Sequence, residues 1–267
     1  MRNQRIPTAL SIAGSDSGGG AGIQADLKAF ARCGVHGTTA ITAITAQNTV
    51  GVEAVEAIPA ATIVAQVRAV AVDIGVDAVK IGMLGDEATI DAAVEALGLL
   101  GGAPVVVDPV MVSESGAVLL DPAARRALVE RVLPLTAVAT PNIPEARELT
   151  GLGEGASQEE LARAVLALGP GAVVVTGGHS EALVDLFCDG ERLLEIPGDR
   201  HPDGAAHGSG CTHSSALAAF LARGEEPLEA ALRARAIASE AVGNGLHGIG
   251  AGPGPVDALG LLSRFQP

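Results

Sequence analysis

A chain of 267 residues, 48% hydrophobic and 18% charged, is long and apolar enough to bury one large core, which excludes a disordered or fibrous protein. Its formal net charge of −14 speaks against a general binder of nucleic acid or anionic membrane. Tyr and Trp are absent and Phe numbers four, so stacking on aromatic rings is not the main source of affinity for a base-like ligand.

No apolar run is long enough to span a bilayer, and Met1-Arg2-Asn3-Gln4-Arg5-Ile6-Pro7 lacks the apolar segment of a signal peptide. The expected location is the cytoplasm. Cys33, Cys188 and Cys211 are widely spaced, which argues against both a disulfide framework and a zinc site. The histidines, His36, His179, His201, His207, His213 and His247, show no metal-ligand spacing either.

The run Thr8 to Ala13 reads as a strand that stops at a glycine-rich loop, Gly14 to Gly22. A helix with apolar Ile23, Leu27 and Phe30 follows and ends at Gly34. Gly37 to Ala46 is a second strand closing on Gln47-Asn48-Thr49. Helix Pro59 to Asp73, strand Val76 to Ile81, helix Asp86 to Leu99 and strand Val105 to Val107 come next. Asp121-Pro122 opens a helix with Asp as N-cap and Pro at its first position. Thr136 to Thr140 is a strand, and Pro141-Asn142-Ile143-Pro144-Glu145 begins a short helix. Ser157 to Leu168 is a helix whose Ser157 and Glu160 have capping-box spacing. Ala172 to Thr176 is a strand, Leu183 to Cys188 and Arg192 to Ile196 form a hairpin about Asp189-Gly190, and Pro227 to about Asn244 is the last long helix.

Strands alternating with helices imply an α/β fold with a mostly parallel central sheet covered on both faces, here as a single domain over 1–267. Ligands of such sheets bind beyond the carboxyl ends of the strands. The unusual residues gather there: Gly14 to Gly22, Gln47, Gly82-Met83, Asp108, Asn142, Glu145 and Thr176-Gly177-Gly178.

The loop Gly20-Ala21-Gly22-Ile23-Gln24-Ala25 fits G-x-G-x-x-A, but the acid that would hold a ribose at the end of the second strand is replaced by Gln47-Asn48. A dinucleotide oxidoreductase is thereby disfavoured, and the loop is expected to shape a pocket rather than hold a pyrophosphate. Asn142 and Glu145 suit magnesium or its waters, or simply cap a helix. Asp108 is either a turn former or a carboxylate facing that metal. Asp26, one turn past the glycine loop, either points back into the pocket or is solvated. Met83 and Val110 are pocket walls or ordinary core, while Cys33 and Cys188 read as structural.

The most informative stretch is His207-Gly208-Ser209-Gly210-Cys211-Thr212, which runs straight into an alanine-rich helix ending near Gly224. The first amides of a helix lack intrahelical partners and its dipole favours negative charge. Backbone donors at Gly208, Ser209, Gly210 and Cys211 therefore read as an anion hole. Cys211 within it is either a buried small hydrophobe or a base, with its thiol made acidic by the helix N-terminus.

The runs Ala13 to Lys28, Thr45-Ala46-Gln47-Asn48-Thr49, Lys80-Ile81-Gly82-Met83-Leu84, Val107-Asp108-Pro109-Val110-Met111, Thr140 to Ala146 and His207 to Thr212 together resemble the hydroxymethylpyrimidine/phosphomethylpyrimidine kinases of thiamine synthesis, within the ribokinase-like superfamily. The resemblance covers nearly the whole chain. It implies a three-layer α/β/α ribokinase-like fold, ATP with Mg²⁺, a homodimer, and two successive phosphorylations of the pyrimidine. By position, Gln47 would pair with the aminopyrimidine, and Gly14, Asp26, Met83 and Val110 would line its pocket. Cys211 would be the base. Asn142, Thr176 and Gly178 would meet the nucleotide, and Asp108 and Glu145 the metal. Two departures stand out. Thr176 occupies a place where the family usually has Lys, as in related bacterial pyridoxal kinases, and Ala205-Ala206 replace an Asn-Thr pair. Pyridoxal kinase activity is thus the alternative substrate reading, and a non-catalytic nucleotide or vitamin sensor the alternative of another class.

Overall fold

In the computed structural model, residues 5–112, 116, 119–177, 183–202 and 204–262 are described. The first half of the chain alternates β1 (Thr8–Asp16), α1 (Gly22–Arg32), β2 (His36–Gln47), β3 (Val52–Ala57), α2 (Ala60–Asp73), β4 (Ala78–Ile81), α3 (Glu87–Leu97) and β5 (Val105–Val107). The second half continues with α4 (Pro122–Ala127), β6 (Val138–Ala139), α5 (Ile143–Thr150), α6 (Gln158–Leu166), β7 (Ala172–Val175), β8 (Val184–Cys188), β9 (Leu193–Pro197), α7 (Ser209–Ala222) and α8 (Pro227–Gly243). The strands form one sheet in the order β3-β2-β1-β4-β5-β6-β7-β8-β9. Neighbours from β2 through β7 pair parallel, while β3, β8 and β9 each pair antiparallel with the strand before them.

Alternation along each strand sends side chains into two cores. Val105 and Val107 enter the core beneath α2 to α6, and Val106 enters the other, beneath α1, α7 and α8. Leu10 and Ile12 against Ala9, and Val173 and Val175 against Val174, divide the same way. The expected three layers follow. In α7 every residue from Thr212 to Leu221 is buried, because α1 and α8 flank it and the sheet lies under it. Such a helix is apolar all round rather than amphipathic.

Two local features depart from the sequence-based expectations. β3 has no counterpart among the strands read from the sequence: Val52-Glu53-Ala54-Val55-Glu56-Ala57 repeats every three residues and is exposed on both faces, so no two-residue alternation marks it. β1 does not stop at Ala13. A register shift between Ala13 and Ser15 lets it continue to Asp16, pairing Ser15 with Ile44 and Asp16 with Thr45. That extension carries the start of the glycine loop to the rim of the sheet. Asp121 caps α4 through Ala124 N–H, and Ser157 with Glu160 forms the reciprocal cap of α6. Among the described residues no helix is long and apolar enough to cross a membrane.

Candidate active site

Beyond the carboxyl ends of the parallel strands lies a cleft of about 540 Å³. It brings together Gly14, Gln47, Met83, Asp108, Val110, Asn142, Glu145 and Thr176, with Gly208, Ser209, Gly210 and Cys211 along one wall. Residues separated by nearly two hundred positions therefore share one site. Gly178 lies outside the described residues.

At one end the glycine loop is tied down rather than open. The Asp16 carboxylate accepts from the N–H groups of Gly18, Gly20 and Ala21 at 2.8, 3.0 and 2.8 Å, and stands 3.4 Å from His207 Nε2. Burial pushes Asp16 upward, but these hydrogen bonds, His207 foremost, outweigh it and hold the carboxyl below its ordinary value. Because the loop amides are spent on Asp16, they cannot also cradle a pyrophosphate. The pocket-shaping expectation follows directly. Met83 packs its methyl group against the bare Cα of Gly14, a place a larger residue would occupy. Ser17 Oγ clamps the backbone of Gln47 in both directions, at 2.6 and 2.8 Å, and Thr45 Oγ1 donates to the Gln47 side-chain oxygen at 3.2 Å. The Gln47 amide nitrogen is left for a ligand acceptor.

The start of α7 forms a wall against this loop. Gly208 sits at the N-cap with φ of 84°, and a Cβ there would drive into the Gly20 carbonyl oxygen. No side chain caps this helix. Ser209 N–H bonds the Ala206 carbonyl at 2.9 Å, which leaves the amides of Gly210 and Cys211 as the donors for an anion.

Beneath this wall runs a chain of buried charges. Lys80, 1% exposed, lies 3.0 Å from Asp26 and 3.8 Å from Asp108. Asp26, fully buried, also accepts from Ser11 and Ser215 at 2.5 and 2.7 Å. This corrects the placement of Asp26 as a pocket residue. Its helix faces the sheet, so the carboxylate turns inward to Lys80 and lies behind the cleft wall. Burial alone would lower Lys80, but Asp26, Cys211 and Asp108 outweigh it and keep the ammonium charged. Lys80 itself lines the cleft, and sequence reasoning assigned it no role. The signal was present: one of only two lysines stands inside an otherwise apolar strand.

Cys211 lines the cleft while its thiol donates to Asp108, which also accepts from Ser214 Oγ at 3.2 Å. Burial pushes the thiol up to about 12, Asp108 and Asp26 add to the push, and Lys80 only partly opposes it. The helix N-terminus therefore does not deliver a resting thiolate, contrary to the expectation from its position. Desolvation beside two carboxylates dominates the dipole.

Asn142 and Glu145 form the helix cap that was one of their two readings. Asn142 Oδ1 accepts from Glu145 N–H at 2.8 Å and Glu145 Oε2 accepts from Asn142 N–H at 2.9 Å, a complete capping box at the start of α5. Glu145 also lines the cleft, and burial together with Asp108 pushes its carboxyl up to about 8. A buried carboxylate whose proton affinity is raised by a neighbouring carboxylate fits a hard divalent cation. Among the described residues no group of three or more His, Cys, Asp or Glu assembles, so such a cation would take its remaining oxygens from phosphate and water, as Mg²⁺ commonly does.

Replacing Lys80 by Met should lower unfolding free energy by about 3–5 kcal/mol, because Asp26 is left buried without its counter-ion. Replacing both Lys80 and Asp26 by apolar residues should recover most of that loss. Urea unfolding of the single and double variants checks this. Equal stability of the single variant and the unchanged protein would show that the pair carries no such constraint.

The phosphomethylpyrimidine kinase family model matches residues 16–257. The chain is 49% identical over 254 residues to a hydroxymethylpyrimidine/phosphomethylpyrimidine kinase from Rhizobium meliloti, covering 93% of this chain and 95% of that one. Among solved structures, a phosphomethylpyrimidine kinase from Clostridium difficile superposes with a TM-score of 0.75 at 41% identity, over 86% of this chain and 97% of that one. A pyridoxal kinase from Staphylococcus aureus in complex with ADP superposes with a TM-score of 0.88 at 35% identity, over 98% and 96% of the two chains. A strand-end cleft that joins an uncapped helix N-terminus to a small polar pocket, on a sheet shared with these kinases, places the chain: it belongs to the phosphomethylpyrimidine kinase family.

Proposed function

We propose that this protein is an ATP-dependent kinase of thiamine biosynthesis that phosphorylates 4-amino-5-hydroxymethyl-2-methylpyrimidine and then its monophosphate. The observation that carries the reading is the cleft itself, in which Gln47 faces one end and the free amides of Gly210 and Cys211 face the other. A Gln amide matches a ring nitrogen beside an exocyclic amine. Helix-terminal amides match a phosphoryl group.

The substrate hydroxyl attacks the γ-phosphorus in line, and the transition state is loose, so positioning and charge stabilisation dominate. The amides of Gly210 and Cys211 meet the charge on the transferring group. Proton removal falls to Cys211, which accepts the hydroxyl proton at sulfur as its own proton passes to Asp108 along the hydrogen bond already present. The high proton affinity of the sulfur suits a proton that leaves late. Lys80 keeps Asp108 in place and balances its charge. Asp108 and Glu145 would hold Mg²⁺, largely through water, and the ion would supply charge neutralisation between the phosphates. Asn142 and Thr176, bridged across the ends of β6 and β7, would border the nucleotide, with Gly178 following in sequence.

A homodimer is part of the same reading. The edge strand β3 is exposed from Glu53 onward, and Val55 on it is 52% exposed, with Ile44 on the neighbouring β2 51% and Val50 in the turn between them 61%. An unpaired edge with an apolar face supports pairing with a second copy. Light scattering should give twice the chain mass, and Val55→Lys should shift it toward the monomer; a monomeric unchanged protein would end this part of the proposal.

Cys211→Ala should leave the pyrimidine bound but slow turnover by about two to four decades, the usual worth of a proton acceptor. Near-normal turnover would reduce Cys211 to packing. In the same assay Glu145→Gln should raise the magnesium concentration needed for half-maximal rate, and an unaltered magnesium titration would remove Glu145 from the metal.

The pyrimidine should be preferred over pyridoxal in kcat/KM by about ten- to a hundredfold, because pyridoxal offers Gln47 no matching amine and would cover its amide half paired. The second phosphorylation should be the slower, since Thr176 brings no charge to offset that of the monophosphate. Steady-state kinetics with the pyrimidine, its monophosphate and pyridoxal decide the matter. Equal or better use of pyridoxal would make this a pyridoxal kinase.

A further inference from the structure

Three polar residues that the mechanism does not use meet in one corner of the cleft, contributed by β8, α7 and α8. Asp185 is fully buried, His213 is 3% exposed, and the Arg235 side chain is 14% exposed. All three line the cleft. Asp185 Oδ1 accepts from Gly177 N–H at 2.9 Å and lies 3.5 Å from Arg235 Nη1, while Arg235 Nη2 donates to the Leu183 carbonyl at 2.7 Å. His213 Nε2 stands 3.8 Å from Asp185 Oδ2, too far for a hydrogen bond. Four atoms are left buried without partners: Asp185 Oδ2, both His213 ring nitrogens and Arg235 Nε. Buried polar atoms are nearly always paired, so four unmet ones on three touching residues that face one cleft mark a point of ligand contact.

Their chemistry selects the ligand. Asp185 and Arg235 offset each other, so the corner presents no surplus positive charge for a phosphate, and its free carboxylate oxygen would repel one. Burial, only partly opposed by Asp185, holds the His213 imidazole below its ordinary value and therefore neutral. A neutral ring carries one donor and one acceptor nitrogen, and here neither is taken. Arg235 Nε, also buried without a partner, is a donor on the same cleft lining. An acceptor and a donor in one corner match a hydroxyl, which both gives and takes a hydrogen bond. The apolar surface that a flat base needs is found elsewhere in the cleft, on Ala206, Ala238 and Val242.

We infer that His213, in the corner it shares with Asp185 and Arg235, binds a ribose hydroxyl of the nucleotide. The inference rests on the kinase reading and adds to it the sugar contact that the strand-two acid provides in dinucleotide folds and that Gln47-Asn48 cannot provide here.

Calorimetric titration of the purified protein with ATP, 2′-deoxy-ATP, 3′-deoxy-ATP and inosine triphosphate tests it. The unchanged protein should bind ATP about tenfold more tightly than at least one deoxy analogue, the effect of one buried hydrogen bond left unmade. His213→Leu should bring that ratio close to one, and His213→Gln, which keeps an acceptor and a donor, should restore part of it. The comparison of analogues on the unchanged protein needs no variant, so a folding defect in His213→Leu does not remove the test. Equal binding of ATP and both deoxy analogues would overturn the inference, as would an unaltered ratio in a folded His213→Leu. A His213 effect confined to the ATP-to-inosine ratio would assign the corner to the base and overturn it too. Failure to bind any nucleotide would overturn the kinase reading and this inference together.

Discussion

The buried pair of Lys80 and Asp26 holds the site together. A lysine in the middle of a sheet is tolerated only because a carboxylate on α1 reaches it at 3.0 Å, and that carboxylate is itself satisfied by a serine from β1 and another from α7. Four elements thus converge on one charge. The same ammonium stands 3.8 Å from Asp108 at the end of β5, so the position of the catalytic wall is referred to the centre of the sheet rather than to a surface loop. Gly82 makes room for this, since a side chain there would strike Lys80 Nζ.

Around that anchor two parts of the cleft differ in character. Near Gln47 the amides of the glycine loop are consumed by Asp16, whereas at the start of α7 the amides of Gly210 and Cys211 remain unspent. On the proposed reading the first would recognise shape and the second charge. The carboxylates Asp108 and Glu145 lie in the same cleft and resist ionising together, which is the arrangement a divalent cation relieves. On the proposed reading, backbone donors, a metal and very few cationic side chains would hold a polyphosphate on this acidic protein.

Much of this was legible in the sequence, and what was not has definite physical causes. The alternation of strands and helices gave the layers, because Val105 to Val107 and Ala172 to Val175 are too apolar to face water on either side. The caps at Asp121, Asn142 and Ser157 were readable because capping depends on neighbours three residues away. The strand-end rule then gathered most of the site residues. Sequence failed where the deciding partner is distant. Asp26 was placed in the pocket because nothing local shows that Lys80, fifty-four residues on, draws it inward. Cys211 was credited with an acidic thiol because the helix dipole is visible in the sequence, whereas the desolvation and the two carboxylates that overrule it are not. β3 was missed because an exposed edge strand needs no alternation.

The contact between Gly20 and Gly208 has one more consequence. The glycine-loop turn and the turn that opens α7 meet where a Cβ on Gly208 would strike the Gly20 carbonyl oxygen, and His207, packed against Gly20, ties them a second time through Asp16. A side chain at either glycine would therefore press on the facing turn, so the shape of the cleft at these two places is fixed jointly and neither turn can be widened alone.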